Sequence, residues 1–284
     1  MQSHHAVGLL FTLVFSLGLA FPVIGFFHLA AWSQSIDPAG LFTTLNAVQD
    51  TQITVAAKNI QVPNLNQVIA LAAGIETTAA QQARLTAPSR RVKALQRVTP
   101  TQGNAAAASL PGDPHKVVDL RDTPLKMVVG EQMQAEINSD PAAAQIQWLL
   151  AWLADGPTAP VLGDEFTIRA DGATALVAQT WTLVPLVFAE NLPRGRYRVV
   201  GFRAQSTNLV AARLVLVGNQ WRPGALGTNT DRHLEHPMFR HGELGTWGEF
   251  EDTDPPQVEC LANAADAAEV FYLDLIQVRE GPGA

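Results

Sequence analysis

The densest run of metal-competent side chains is Asp231-Arg232-His233-Leu234-Glu235-His236-Pro237-Met238-Phe239-Arg240-His241-Gly242-Glu243. His233, His236 and His241 are the residues that would meet at one ion, since neutral imidazole is a common ligand of zinc and related metals. A helical histidine pair needs a spacing of three or four on one face. Pro237 and Gly242 oppose a helix here, so the run reads as a polar surface loop that binds no metal. Its charge would change near pH 6, where histidine titrates.

Other constellations are thinner. Arg84, Arg90, Arg91, Lys93 and Arg97 gather positive charge in one stretch and are candidate contacts for phosphates or anionic lipid headgroups. No aromatic residue interleaves with them, which disfavours stacking on single-stranded nucleic acid. Nucleophilic catalysis has no Gly-x-Ser-x-Gly elbow and no Cys/His context. Acidic pairs such as Asp164/Glu165 and Glu249/Glu251 exist, but sequence cannot pair carboxylates from separate strands. No phosphate-binding loop or dinucleotide fingerprint occurs. Trp221-Arg222-Pro223-Gly224 and Gly245-Thr246-Trp247-Gly248 suit either a carbohydrate platform or loop anchors packed on a sheet edge. The single Cys260 rules out an internal disulfide and a cysteine-rich zinc site. Neither a reaction nor a cofactor is expected.

The elements that must carry these residues belong to a chain poor in charge. Only 16% of its 284 residues are charged and 47% are hydrophobic, against a usual charged share of about 25%. Such a chain hides much of its surface, in lipid or against copies of itself. A net charge of −7 excludes the usual basic type of nucleic-acid binder. No Lys, Arg, Asp or Glu precedes Asp37, and residues 6–32 are almost wholly apolar. Three readings of this segment stand: a membrane span, two buried strands (8–15 and 20–28), or a cleaved signal. The missing Lys or Arg near the start weakens the signal reading.

Residues 1–35 thus form an apolar N-terminal segment. Residues 36–115 read as an N-terminal subdomain with one prominent helix over 64–85. Pro63 would open it, Leu65, Val68, Ile69, Ala72 and Ile75 follow at helical spacing, and Gly74 would bend it. Pro, Gly and Ala mark 99–114 as a linker. From 116 to 284 about eight apolar strands follow, the pattern of a jelly-roll or β-sandwich. Met133, Ala135 and Ile137 alternate with Gln132, Gln134 and Glu136, giving one buried and one wet face. In Gln145–Leu153 both faces are apolar, so that strand should be central and covered twice. Leu209–Val217 is similar apart from Arg213.

The Gly130-Glu131-Gln132 strand, the tryptophan-rich Gln145–Leu153 strand with its Asp155-Gly156-Pro157 stop, and the Leu192-Pro193-Arg194-Gly195-Arg196-Tyr197 hairpin into Val199-Val200-Gly201 resemble jelly-roll capsid proteins. The closest type is the major capsid protein of small icosahedral bacteriophages, including those with an internal membrane. The resemblance covers roughly 116–279 and, more weakly, 50–98. It implies a mainly β fold, with a double jelly roll only if residues 8–62 and 89–128 supply a second set of strands. It also implies a shell-forming structural protein of the virion and no enzyme. Expected partners are copies of the chain, other capsid proteins and membrane lipid through residues 6–32. Nucleic-acid contact has only the 84–97 cluster behind it. Trp221, Leu226, Met238 and Phe239 are the expected subunit contacts, being apolar residues in long loops. The alternative is a membrane-anchored or exported, extracytoplasmic β-sandwich that binds carbohydrate or protein.

The loop reading has a direct check. Chelator treatment should leave the melting temperature unchanged. A loss of stability restored by zinc would overturn it.

Overall fold

The computed structural model describes residues 26–75, 82–92, 97–100, 102–103, 117–228 and 237–278. Its organising element is the strand Gln145–Ala154, which runs antiparallel to Phe27–Ile36 on one side and to Gln67–Ile75 on the other. These strands form a central sheet that Leu125–Lys126, Val118–Asp119 and Gln102–Gly103 extend along Gln67–Ile75. Side chains alternate across it, as a pleated strand requires. Trp148, Leu150 and Trp152 enter one apolar core, while Leu149, Ala151 and Leu153 enter a second.

A second sheet covers the Leu149 face. Its order is Val55–Ala56, Asn59–Gln61, Gln132–Asn138, Gln82–Thr86 and Arg97–Pro100, with Thr43–Thr44 also on Gln132–Asn138. Met133, Ala135 and Ile137 point inward from it and are fully buried, as the alternation predicts. The third layer covers the Trp148 face and holds nine strands. Its ends, Thr182–Pro185 and Val187–Phe188, are consecutive in the chain, so Leu186 alone joins them and the sheet is nearly a closed barrel. Gly172 allows the closure, because a Cβ there would lie 2.5 Å from Val184 Cγ1.

Several expectations are corrected. No prominent helix forms over 64–85: the segment contributes the strands Gln67–Ile75 and Gln82–Thr86. Among the described residues the α-helix is the short Pro88–Val92. The apolar spacing misleads because a strand buried on both faces is apolar throughout and carries no period of its own. The small residues have a packing role. Ala70, Ala72 and Gly74 sit opposite Trp152, Leu150 and Trp148, and a Cβ on Gly74 would come within 2.2 Å of the Trp148 ring. The boundary expected at 115/116 falls inside this double-sheet unit, since Gln132–Asn138 and Gln145–Ala154 pair with N-terminal strands. The pairings divide the chain near Asp155-Gly156-Pro157 instead. Of the apolar segment 6–32, residues 27–32 are core strand rather than membrane span, and 6–25 lie outside the described residues. Most of the 99–114 stretch lies outside them too, although Arg97–Pro100 and Gln102–Gly103 are strands.

Trp152 ties the layers together. Its ring packs on Phe239, centroid to centroid at 5.4 Å, and its Nε1–H donates to Gly224 O at 2.7 Å. Trp152→Ala should cost about 3–5 kcal/mol, the usual loss for a buried aromatic truncated in a core. Urea denaturation measures it, and a loss under about 1 kcal/mol would refute this packing role.

Candidate functional site

The expected sites disperse in the structure. His233, His236 and Lys93 lie outside the described residues, and Arg91 and Arg97 are described in backbone alone. His241 adopts a left-handed backbone (φ 56°) and its Nδ1 pairs with Glu165 Oε1. No group of three His, Cys, Asp or Glu side chains suited to a metal occurs among the described residues. Arg84 stacks 3.8 Å from the centroid of the Phe42 ring and donates from Nε to Glu136 Oε2 at 2.6 Å. Arg90 donates from Nη2 to the Lys126 carbonyl. Both guanidinium groups are therefore engaged within the chain.

The expected subunit contacts are corrected as well. Leu226, Met238 and Phe239 are buried in the core beneath the barrel. The loop that carries the last two folds back onto the barrel wall. Gly242 N–H donates to Val200 O at 2.8 Å, and Val161 N–H to Gly242 O at 2.9 Å. Arg240 pairs with the fully buried Asp274, which also accepts from Thr167 Oγ1 at 2.6 Å. Trp221 is half-buried and packs edge-on to the His28 ring at 5.9 Å. It anchors its turn. Trp247 is buried against Phe27 and Phe202, so neither tryptophan offers a sugar platform.

The structure instead assembles a polar cluster where the central sheet meets the barrel. His28 comes from the strand Phe27–Ile36, Asp50 from the loop after Val48, Arg213 from the barrel strand Leu209–Val215, and Glu259 from its neighbour Gln257–Ala262. His28 Nε2 lies 3.0 Å from Asp50 Oδ2. Arg213 pairs with Asp50 through Nη1, donates from Nε to Glu259 Oε2 at 2.6 Å and from Nη1 to Leu29 O at 3.1 Å. Its guanidinium lies 4.1 Å from the Trp181 ring centroid. His28, Asp50 and Arg213 are essentially inaccessible to water.

Burial pushes His28 below its ordinary value, against the opposing Asp50 hydrogen bond. Burial also opposes ionisation of Asp50, but the His28 hydrogen bond and the Arg213 charge outweigh it and hold the carboxyl below the usual range. An Asp–His pair resembles half of a hydrolytic relay. Here both imidazole nitrogens are engaged, since Nδ1 accepts the Arg222 N–H at 3.2 Å, so no nitrogen is left to serve a nucleophile. The Cys260 thiol is pushed up by burial and the nearby acids, which makes it a poor nucleophile. Beside the cluster a cleft of about 620 Å³ opens between Asn219, Gln220, Arg222, Asp254 and Gln257.

Sequence reasoning missed this cluster. Its one visible signal was Arg213, a lone charge in an otherwise apolar strand.

No protein-family model matches the chain, and neither does any curated protein. Among solved structures the chain is similar to the major capsid protein P2 from bacteriophage PM2, at 13% identity and a TM-score of 0.25, over 86% of this chain and 100% of that one. It is also similar to a Paenibacillus xanthan lyase, at 9% identity and a TM-score of 0.22, over 88% of this chain and 25% of that one. Likenesses this distant define neither the fold family nor the function. No helix among the described residues is long and apolar enough to cross a membrane.

Removing one member of a buried ion cluster leaves its partner charged and unpaired, which costs about 3–5 kcal/mol. Asp50→Asn should lose that much at neutral pH by urea denaturation. A loss below about 1 kcal/mol would show that Glu259 alone satisfies Arg213.

Proposed function

We propose that the chain is a shell-forming structural protein, a capsid subunit of a virion that assembles with copies of itself through β-layers of jelly-roll type. The observation that carries this reading is an apolar strip at the closing seam of the barrel. Leu183, Pro185 and Val187 alternate outward from the extended segment 182–188, and Leu183 and Val187 are 45% and 67% exposed. Both cores are already filled from within the chain, so these side chains add nothing to the fold of one copy. Leu162 (90% exposed) and Val217 (70%) are further exposed apolar side chains in loops. Isolated exposed apolar residues are ordinary. A strip of them on a chain only 16% charged suits burial against a neighbour, because interface cores are depleted in charge.

In this reading the role is structural and involves no reaction. The partners are other copies and other capsid proteins. Residues 6–25 are the segment suited to lipid, and the basic stretch that includes Arg91, Lys93 and Arg97 is the segment suited to phosphate. The alternative, a membrane-anchored extracytoplasmic binding module, draws on the polar cleft at Asn219–Gln257.

Light scattering and negative-stain images of the purified chain should show rings or shells. Leu183→Asp combined with Val187→Asp should keep the β-rich circular dichroism and abolish them. A wild-type chain that stays monomeric across wide ranges of concentration and salt would sink the proposal, as would a charged variant that assembles normally. A stable monomer that binds a glycan through the Asn219–Gln257 cleft would favour the alternative.

A further inference from the structure

The turn Trp221–Gly224 is fastened to the central sheet by very few bonds. Arg222 uses its own backbone twice: its N–H donates to His28 Nδ1 at 3.2 Å, and its carbonyl accepts the Leu29 N–H at 3.0 Å. Gly224 O accepts the Trp152 Nε1–H. Gly224 must be glycine here, since a Cβ would lie 2.6 Å from Leu29 Cδ2 and 2.7 Å from Ala212 O.

A backbone N–H can only donate, so His28 Nδ1 must be the unprotonated nitrogen. The ring proton then sits on Nε2 and points at Asp50 Oδ2. This is the one neutral tautomer that satisfies both contacts. Adding a proton places an N–H on Nδ1 directly against the Arg222 N–H, donor against donor. The hydrogen bond cannot survive in that state.

The surrounding charges give no relief. Asp50 faces Nε2 from the loop after Val48 and is already paired with Arg213. Arg213 approaches from the barrel strand and is shared with Glu259 on the adjacent strand. Arg222 contributes a second guanidinium from the turn itself, and Trp221 contributes only its ring edge. Two acids therefore balance two arginines while His28 is neutral, and protonation leaves one uncompensated positive charge in a buried site.

We propose that His28 is a proton-operated latch: neutral, it clasps the Trp221–Gly224 turn onto the central sheet, and protonated, it releases the turn. Release frees the Leu29 N–H from its acceptor and moves Arg222, one wall of the Asn219–Gln257 cleft, while Pro223 and Gly224 stay on the barrel through the Leu214 N–H to Pro223 O bond at 2.7 Å and the pairing of Gly224 with Arg213. The latch is independent of whether the chain forms a shell.

The sign follows from linkage. A histidine held neutral in the fold adds no penalty above its ordinary value of about 6.5, where both states are neutral. Below that value the open state takes up a proton that the closed state refuses, so opening gains about fivefold over the first pH unit and approaches about tenfold per unit below it. Burial lowers His28 in the closed state, which extends that window downward.

Hydrogen exchange read by mass spectrometry tests this on the full chain in whatever assembly it adopts. Peptides covering 27–31 and 219–226 should lose about fivefold in protection factor between pH 6.5 and 5.5, after correction for intrinsic exchange. Peptides within Gln145–Ala154 should not change. In His28→Gln, whose side chain has no titrating group, the pH dependence at the turn should vanish. An unchanged turn in wild type, or an equal drop in His28→Gln, would overturn the latch. If His28→Gln does not fold, wild type decides alone: a drop confined to those two peptides supports the latch, and a uniform drop or none overturns it.

Discussion

A strand with no face to water sets the terms for the rest of this molecule. Gln145–Ala154 puts tryptophan and leucine on one side and leucine and alanine on the other, so no single covering layer suffices. Its backbone polar groups are satisfied by neighbours on both edges, as burial demands. Its two faces then need two further sheets. The neighbouring strand must also be thin, because the indole rings of Trp148 and Trp152 fill the space beside it. Alanine and glycine in Gln67–Ile75 meet that requirement. The three-layer order therefore follows from one strand's side chains and the volume they occupy.

A chain this poor in charge places several of its ion pairs inside rather than on the surface. Arg213 with Asp50 and Glu259 joins the central sheet to the barrel. Arg240 with Asp274 holds the loop before Trp247 to the barrel wall. Buried pairs add little net stability over apolar packing of the same shape, but they specify geometry, because each misplacement strands a charge. Apolar cores decide that the layers associate. The ion pairs fix the register in which a loop or turn meets them.

The sequence discloses much of the layering and little of the site. The period-two alternation of Gln132–Asn138 and the doubly apolar run of Gln145–Ala154 are both readable, because each side chain's fate depends on its own strand. The segment 64–85 is misread for the reason that makes it work: burial on both faces erases the pattern that separates strand from helix. Met238 and Phe239 are misread because the bonds that fold their loop inward involve Val161, Val200 and Asp274, all distant in sequence. The polar cluster is harder still. His28, Asp50, Arg213 and Glu259 come from four separate segments, and nothing local announces that they converge. Arg213 alone hints at it, since a guanidinium in an apolar strand must find acceptors somewhere.

The two kinds of fastening respond differently to conditions. Apolar burial between the sheets is indifferent to protons, and it holds most of each layer's area. The start of the Trp221–Gly224 turn, Trp221 and Arg222, is only half-buried, and Arg222 is held to the central sheet by two backbone hydrogen bonds, one of them to a titratable ring. Protons therefore act on the turn before they act on the layers. Regions with few apolar contacts and a handful of hydrogen bonds open at lower free energy than the core they border. The apolar strip at Leu183–Val187 borders the polar cluster: Leu183 sits opposite Glu259 in the barrel sheet, and Glu259 opposite Arg213. A neighbour covering that strip would lie against Glu259, the partly exposed member of the cluster, and leave His28 and Asp50 where the fold already buries them. Association would then bear on the outer acid of the cluster while the proton acts on its buried histidine, with Arg213 between them.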